Sequence, residues 1–196
     1  SRASSVKQAL QRLEEKEFDL VITMRRLGEI NPLRFAEQVK EIQDIPVVLL
    51  LNNSSELAYL PQQALGEGPI DHTFVWNGNS TVFVAIIKLL EDRMNVDPDT
   101  ERGDVRVIIV VEDSIRFYSL YLPVLYAEIM RQTQRLIHEG GNDYHSLLQM
   151  RSRPKILLAS TYEEAVQDYQ RYRDHLLGLI TDVKFPQADQ VSPTAG

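Results

Sequence analysis

Apolar and polar positions along the chain follow two periods. Short runs rich in β-formers recur at 18–24, 45–51, 72–76, 105–111, 155–159 and 177–182, and the Val/Ile run at 105–111 lacks the alternation of a half-wet strand. Such runs read as strands of a parallel sheet covered on both faces. Between them, apolar residues return every three or four positions. Ser4-Ser5 opens a helix with Val6, Ala9, Leu10 and Leu13 on one face. Leu33, Phe35, Ala36, Val39 and Ile42 mark a second helix, a weak one spans Ser55 to Ala64, and Ser80–Met94 is well marked by its broad apolar face.

Asn95 to Asp104, with Pro98 and Gly103, reads as a polar connector, so the chain divides into 1–95, a linker at 96–104, and 105–196. After the fourth strand a helical pattern runs from Ser114 to about Glu139, where Gly140-Gly141 stops it, with Pro123 as a kink or break. Phe117, Tyr118, Tyr121, Leu125, Tyr126, Ile129 and Ile137 give it a wide aromatic and aliphatic surface. That much apolar area on an arm projecting past a sheet is expected to bury itself against another helix, in a homodimer. A short helix near Tyr144–Met150 follows, then a strand, a helix at Tyr162–His175 capped by Ser160 or Thr161, and the last strand.

Composition narrows the partners. The chain has 196 residues, 43% hydrophobic and 25% charged, enough for a substantial core. Residues 1–103 hold 11 basic and 16 acidic residues and 104–196 hold 10 and 12, so the net charge of −7 leaves no basic patch for nucleic acid. No apolar run reaches the roughly 20 residues of a membrane span. The absence of cysteine excludes disulfides and thiolate chemistry and is compatible with the cytoplasm, the expected location.

The fourth strand delivers two acids, Glu112 and Asp113, at its carboxyl end, where ligand chemistry gathers in α/β sheets. Two readings stand side by side. Neighbouring carboxylates repel unless a hard cation lies between them, which suggests magnesium; equally, acids there cap the helix starting near Ser114. A repeat adds a third acid. Ala9-Leu10 with Leu13 reappears as Ala165-Val166 with Tyr169, and the strand Leu20–Met24 reappears as Gly178–Asp182, so that Met24 and Asp182 are equivalent.

Val110-Val111-Glu112-Asp113-Ser114 resembles the acidic strand end of response-regulator receiver domains, and Leu179-Ile180-Thr181-Asp182-Val183-Lys184-Phe185-Pro186 resembles their phosphoacceptor strand. The resemblance implies a flavodoxin-like parallel sheet with helices on both faces. Residues 105–186 would supply the first three strands of one receiver and 5–95 the last three of another, in permuted or swapped order. It makes Asp182 the phosphoacceptor, Glu112 and Asp113 the magnesium-binding acids together with Asp182, and the Lys184 backbone carbonyl a further ligand. It also implies a signalling role in a two-component phosphorelay, with a histidine kinase or phosphotransfer protein as partner and no enzymatic activity of its own.

The departures are specific. Receivers end their fourth strand in Ser or Thr and their fifth near Lys; the matching places are Leu51 and Trp76-Asn77. With Met24, these make the first half resemble a degenerate receiver built for contact. Tyr121–Tyr126 and Arg131–Leu136 resemble the receiver pair ahead of pyruvate phosphate dikinase or phosphoenolpyruvate synthase type domains, implying a covalently attached nucleotide- and phosphoenolpyruvate-binding domain. The chain itself carries no glycine-rich phosphate loop. A structural pseudo-receiver for dimerisation, or a magnesium-dependent phosphatase with Asp182 as nucleophile, are the other readings; the phosphatase lacks a second Asp two residues on, where Lys184 stands. His72, His138, His145 and His175 have no metal-ligand spacing. Arg131, Arg135, Arg151 and Arg153 are read first as a solvated helix face and second as a site for an acidic partner.

Overall fold

The structure is a computed structural model that describes residues 2–26, 28, 30–64, 68–140, 153–182, 185–187 and 190–192. It is an α/β protein with two parallel three-stranded sheets, each in its own compact unit, residues 1–79 and 80–196.

In the first unit, α1 (Val6–Glu15) leads to β1 (Val21–Met24), α2 (Pro32–Ile42), β2 (Val47–Leu51) and β3 (His72–Val75). Local chemistry sets the helix starts: the Ser5 side chain accepts from the Gln8 N–H, and Asn31 accepts from the Arg34 N–H, with Pro32 in the first turn. The strand order is β1-β2-β3, with Val21 opposite Val47 and Val48 opposite His72. All five residues of the central β2 are buried, as the unbroken Val/Leu run requires. Gln43 joins the helix ends, donating to the carbonyls of Leu13 and Lys16 and accepting from the Phe18 N–H. The weak helix expected at 55–64 forms as two 3-10 segments, Ser54–Tyr59 and Gln62–Ala64.

The second unit opens with α3 (Thr81–Gly103), followed by β4 (Val107–Val111), α4 (Ile115–Gly140), β5 (Lys155–Ala159), α5 (Tyr162–Tyr172) and β6 (Leu176–Thr181), with a short hairpin of β7 (Phe185–Gln187) and β8 (Gln190–Ser192). The sheet order is β5-β4-β6; Val111 stands opposite both Ala159 and Thr181. Val107, Ile109 and Val111 pack with Leu157 and Ala159, with Ala165 and Tyr172 of α5, and with Val96 of α3. β6 is an edge strand whose Leu177, Leu179 and Ile180 are exposed.

Several expectations are corrected here. The linker at 96–104 is the last turns of α3, and the whole of that helix lies in the second unit, not with residues 1–79. Buried Val96 and Thr100, an Asp97 that accepts from Arg171 and Tyr172, and an Asp99 paired with Lys155 hold those turns helical despite Pro98. The helix ends only at Asp104, in the left-handed conformation (φ 48°), with the Val105 N–H returning to the Asp99 carbonyl. Likewise α4 continues through Pro123 without a break. The two sheets share no strand ladder among the described residues, so the expected completion of one half by the other within a single sheet is not seen. The helix expected at Tyr144–Met150 lies outside the described residues.

Candidate functional site

β4 and β6 are parallel neighbours, so their last residues reach the same edge of the sheet. The Glu112 N–H donates to the Ala159 carbonyl on one side, while the Asp182 N–H donates to the Val111 carbonyl on the other. Adjacent strands lie about 4.8 Å apart, so Glu112, Asp113 and Asp182 leave the sheet together. Glu112 is buried, whereas Asp113 and Asp182 are exposed. Lys184, whose carbonyl was expected to join them, lies outside the described residues.

Electrostatics tie the three together. Burial pushes the Glu112 carboxyl above its ordinary value; the Ser114 N–H, donating to its Oε1 at 3.0 Å, pulls it down, and the charges of Asp182 and Asp113 push it up again. Desolvation also leads in raising Asp113, opposed by the N–H groups of Asp113 and Ser114 and reinforced by Asp182. Three like charges at one edge, with Glu112 held away from water, are unfavourable unless a cation or proton is shared.

The capping reading of the acidic tip is present in the geometry. Ser114 caps α4, its carbonyl accepting from Phe117 and Tyr118, and Glu112 serves the same helix start through Ser114. The donor set, carboxylate oxygens alone, is of the kind that suits a hard divalent ion. Among the described residues, however, no group of three His, Asp or Glu side chains is already drawn together as a metal cage.

At the corresponding edge of the first unit, Met24 ends β1 and is partly exposed, Leu51 ends β2 fully buried, and the Trp76 N–H closes the edge by donating to the Leu51 carbonyl. None of these side chains offers a nucleophile, a hydroxyl or an amine. Of the other singled-out residues, Arg131 pairs with Glu128 and His175 approaches Asp104 at 3.2 Å.

Arg153 is the reversal. Expected on a solvated face, it is buried, with its guanidinium on Asp92 at 2.6 and 3.0 Å. Asp92, wholly excluded from solvent, also accepts from the Tyr126 hydroxyl at 3.0 Å and the Ile156 N–H at 2.9 Å. Lys155, buried beside it, pairs with Asp99 at 2.6 Å and approaches Asp92 at 3.8 Å. α3, α4 and β5 therefore meet on one buried carboxylate. The only trace of it in the sequence is an acid inside an apolar helical pattern.

No protein-family model matches the chain, and no curated protein or solved structure matches it.

Proposed function

We propose that the chain is a receiver-like signalling module in which Asp182 accepts a phosphoryl group and Glu112 and Asp113 help to hold magnesium beside it. The observation that carries this is the delivery of three carboxylates to one edge by adjacent parallel strands, two of them with raised proton affinity. The strand order β5-β4-β6 is that of the first three strands in a 2-1-3-4-5 sheet, whose ligands bind at the carboxyl edge near its central strand.

In the transfer step a carboxylate oxygen of Asp182 bonds to phosphorus, the bond from phosphorus to the leaving group breaks, and the leaving group departs with the electron pair and takes a proton from solvent. Glu112, Asp113 and Asp182 would hold the ion; magnesium supplies neutralisation of charge developing on the phosphoryl oxygens. Glu112, engaged by the Ser114 N–H, fixes the acidic turn at the head of α4, so a change in charge at this edge is felt at that helix start. The first unit, without a nucleophile at the equivalent tip, serves contact. A kinase or phosphotransfer protein as donor, a phosphoenolpyruvate-handling domain as output and a cytoplasmic setting belong to the same proposal.

The test is labelling by a small acyl or phosphoramidate phosphodonor with magnesium, read by intact mass and by loss of the label to hydroxylamine. The parent gains one phosphoryl group, Asp182→Asn gains none, and Met24→Ala behaves as the parent. Equal labelling of Asp182→Asn would overturn the reading and leave a structural pseudo-receiver as the better account.

A further inference from the structure

The chain holds a single Asn-Gly pair, Asn77-Gly78. It lies in the loop 76–80, between the end of β3 and the start of α3, where one compact unit gives way to the other along the chain. Every residue of that loop is exposed. Gly78 takes φ 80°, in the left-handed region, and a Cβ built on it would meet nothing within 4 Å. Among the described residues its N–H donates to no acceptor, and no partner engages the Asn77 side-chain amide. A reactive pair is therefore adjacent and open to water: a side-chain carbonyl carbon, and a backbone nitrogen with neither a β-carbon to shield it nor a hydrogen bond to hold its proton.

The other described asparagines show what this pair lacks. Asn31 precedes Pro32, whose nitrogen has no proton to lose, and its Oδ1 accepts from the Arg34 N–H. The Asn53 Oδ1 accepts from the Ser55 N–H. Asn95 sits within α3, its amide donating to the Glu91 carbonyl, and the Val96 that follows it is buried. Asn52, Asn53 and Asn79 are each followed by a residue with a β-carbon.

We propose that Asn77 is a site of spontaneous covalent modification, in which its side chain closes on the Gly78 nitrogen and reopens as aspartate or isoaspartate. In the first step the Gly78 nitrogen, its proton lost to hydroxide, bonds to Asn77 Cγ; the Cγ–Nδ2 bond breaks, and ammonia leaves with the electron pair and a proton from solvent. A five-membered succinimide remains. Water then adds to either ring carbonyl. Opening at one keeps the original backbone and leaves a carboxyl side chain; opening at the other routes the backbone through the former side chain, one methylene longer. Nothing is oxidised or reduced. Both products add a negative charge, and the isoaspartyl form lengthens the one covalent link between residues 1–79 and 80–196. The inference does not depend on phosphorylation of Asp182.

The full chain, incubated at pH 8 and body temperature, tests this by intact mass and by peptide mapping with electron-transfer fragmentation, which separates aspartate from isoaspartate. Over days the mass should rise by about one dalton, and the gain should map to Asn77 with isoaspartate as the larger share. The rate should fall several-fold at pH 6, where less of the Gly78 amide is deprotonated, and hydroxylamine should trap the succinimide at Asn77. Gly78→Ala should slow the change at least tenfold. Asn77→Gln, on an exposed position and able to close only a less favourable six-membered ring, should stop it with the circular dichroism unchanged. A folded chain modified at Asn77 more than tenfold more slowly than the same chain in urea would show that the loop holds the two groups apart, and would overturn the proposal. So would a gain in mass that maps first to Asn52, Asn53 or Asn79.

Discussion

Asp92 illustrates what a single buried charge demands. Its carboxylate sits in the interior with two bonds from Arg153, one from Tyr126 and one from the Ile156 backbone, so every group that could leave it unbalanced is accounted for. Removing one charge of such a pair strands the other. Asp92→Asn should therefore cost about 3–5 kcal/mol in urea unfolding, while Tyr126→Phe, which removes one donor to that carboxylate and leaves the Arg153 pair in place, should cost about 1.5–3 kcal/mol. A loss below 1 kcal/mol for Asp92→Asn would show that Arg153 reaches water. Glu112 makes the opposite prediction. Because burial raises its proton affinity in the folded chain above the ordinary value of 4.5, the folded state binds the proton where the unfolded chain has released it. Its contribution favours folding fully below the ordinary value and is lost as pH rises through the folded value. Glu112→Gln should match the parent in melting temperature at pH 4 or below and exceed it at pH 7, once the parent's carboxyl is charged; an equal or lower melting temperature at pH 7 would contradict this.

The elements divide by how much of their cause is local. The six strands of the two parallel sheets were legible as short runs rich in β-formers, most plainly the unbroken Val, Ile and Leu runs of the central strands β2 and β4, whereas the hairpin strands β7 and β8 were not expected. Helix starts were legible where a cap residue precedes them, as at Ser5 and Thr161. The last turns of α3 were not, since Pro98 and Gly103 argue locally for a connector and what keeps them helical is distant: Lys155 on Asp99, and Arg171 and Tyr172 on Asp97. Arg153 was misjudged for the same reason, its partner being a residue on another helix. A proline inside a helix lacks the N–H for the carbonyl four residues back, and its ring crowds that carbonyl. Pro98→Ala should accordingly stabilise the second unit by roughly 1–3 kcal/mol, read as an upward shift of the urea midpoint. No gain would mean that the tertiary ties already absorb the whole cost.

Taken as a whole, the chain is two α/β units with unequal chemistry at equivalent edges: methionine, leucine and tryptophan in one, three acids in the other. The position of the acids could be read from sequence because strand direction fixes where strand ends go, whereas the approach of their side chains to one another could not, since it depends on side-chain rotamers. β4 carries a further consequence, and it is one of timing. It is the middle strand of its sheet, yet neither neighbour is close in sequence: all of α4 intervenes before β5, and α5 as well before β6. Every ladder in that sheet is a long-range closure, while α4 forms from contacts a turn apart. Closing large loops before any strand contact rewards them slows folding. The helices of residues 80–196 are therefore expected to form ahead of the sheet, and the acidic edge, which is complete only once β6 has docked on β4, is expected to be built late in that unit.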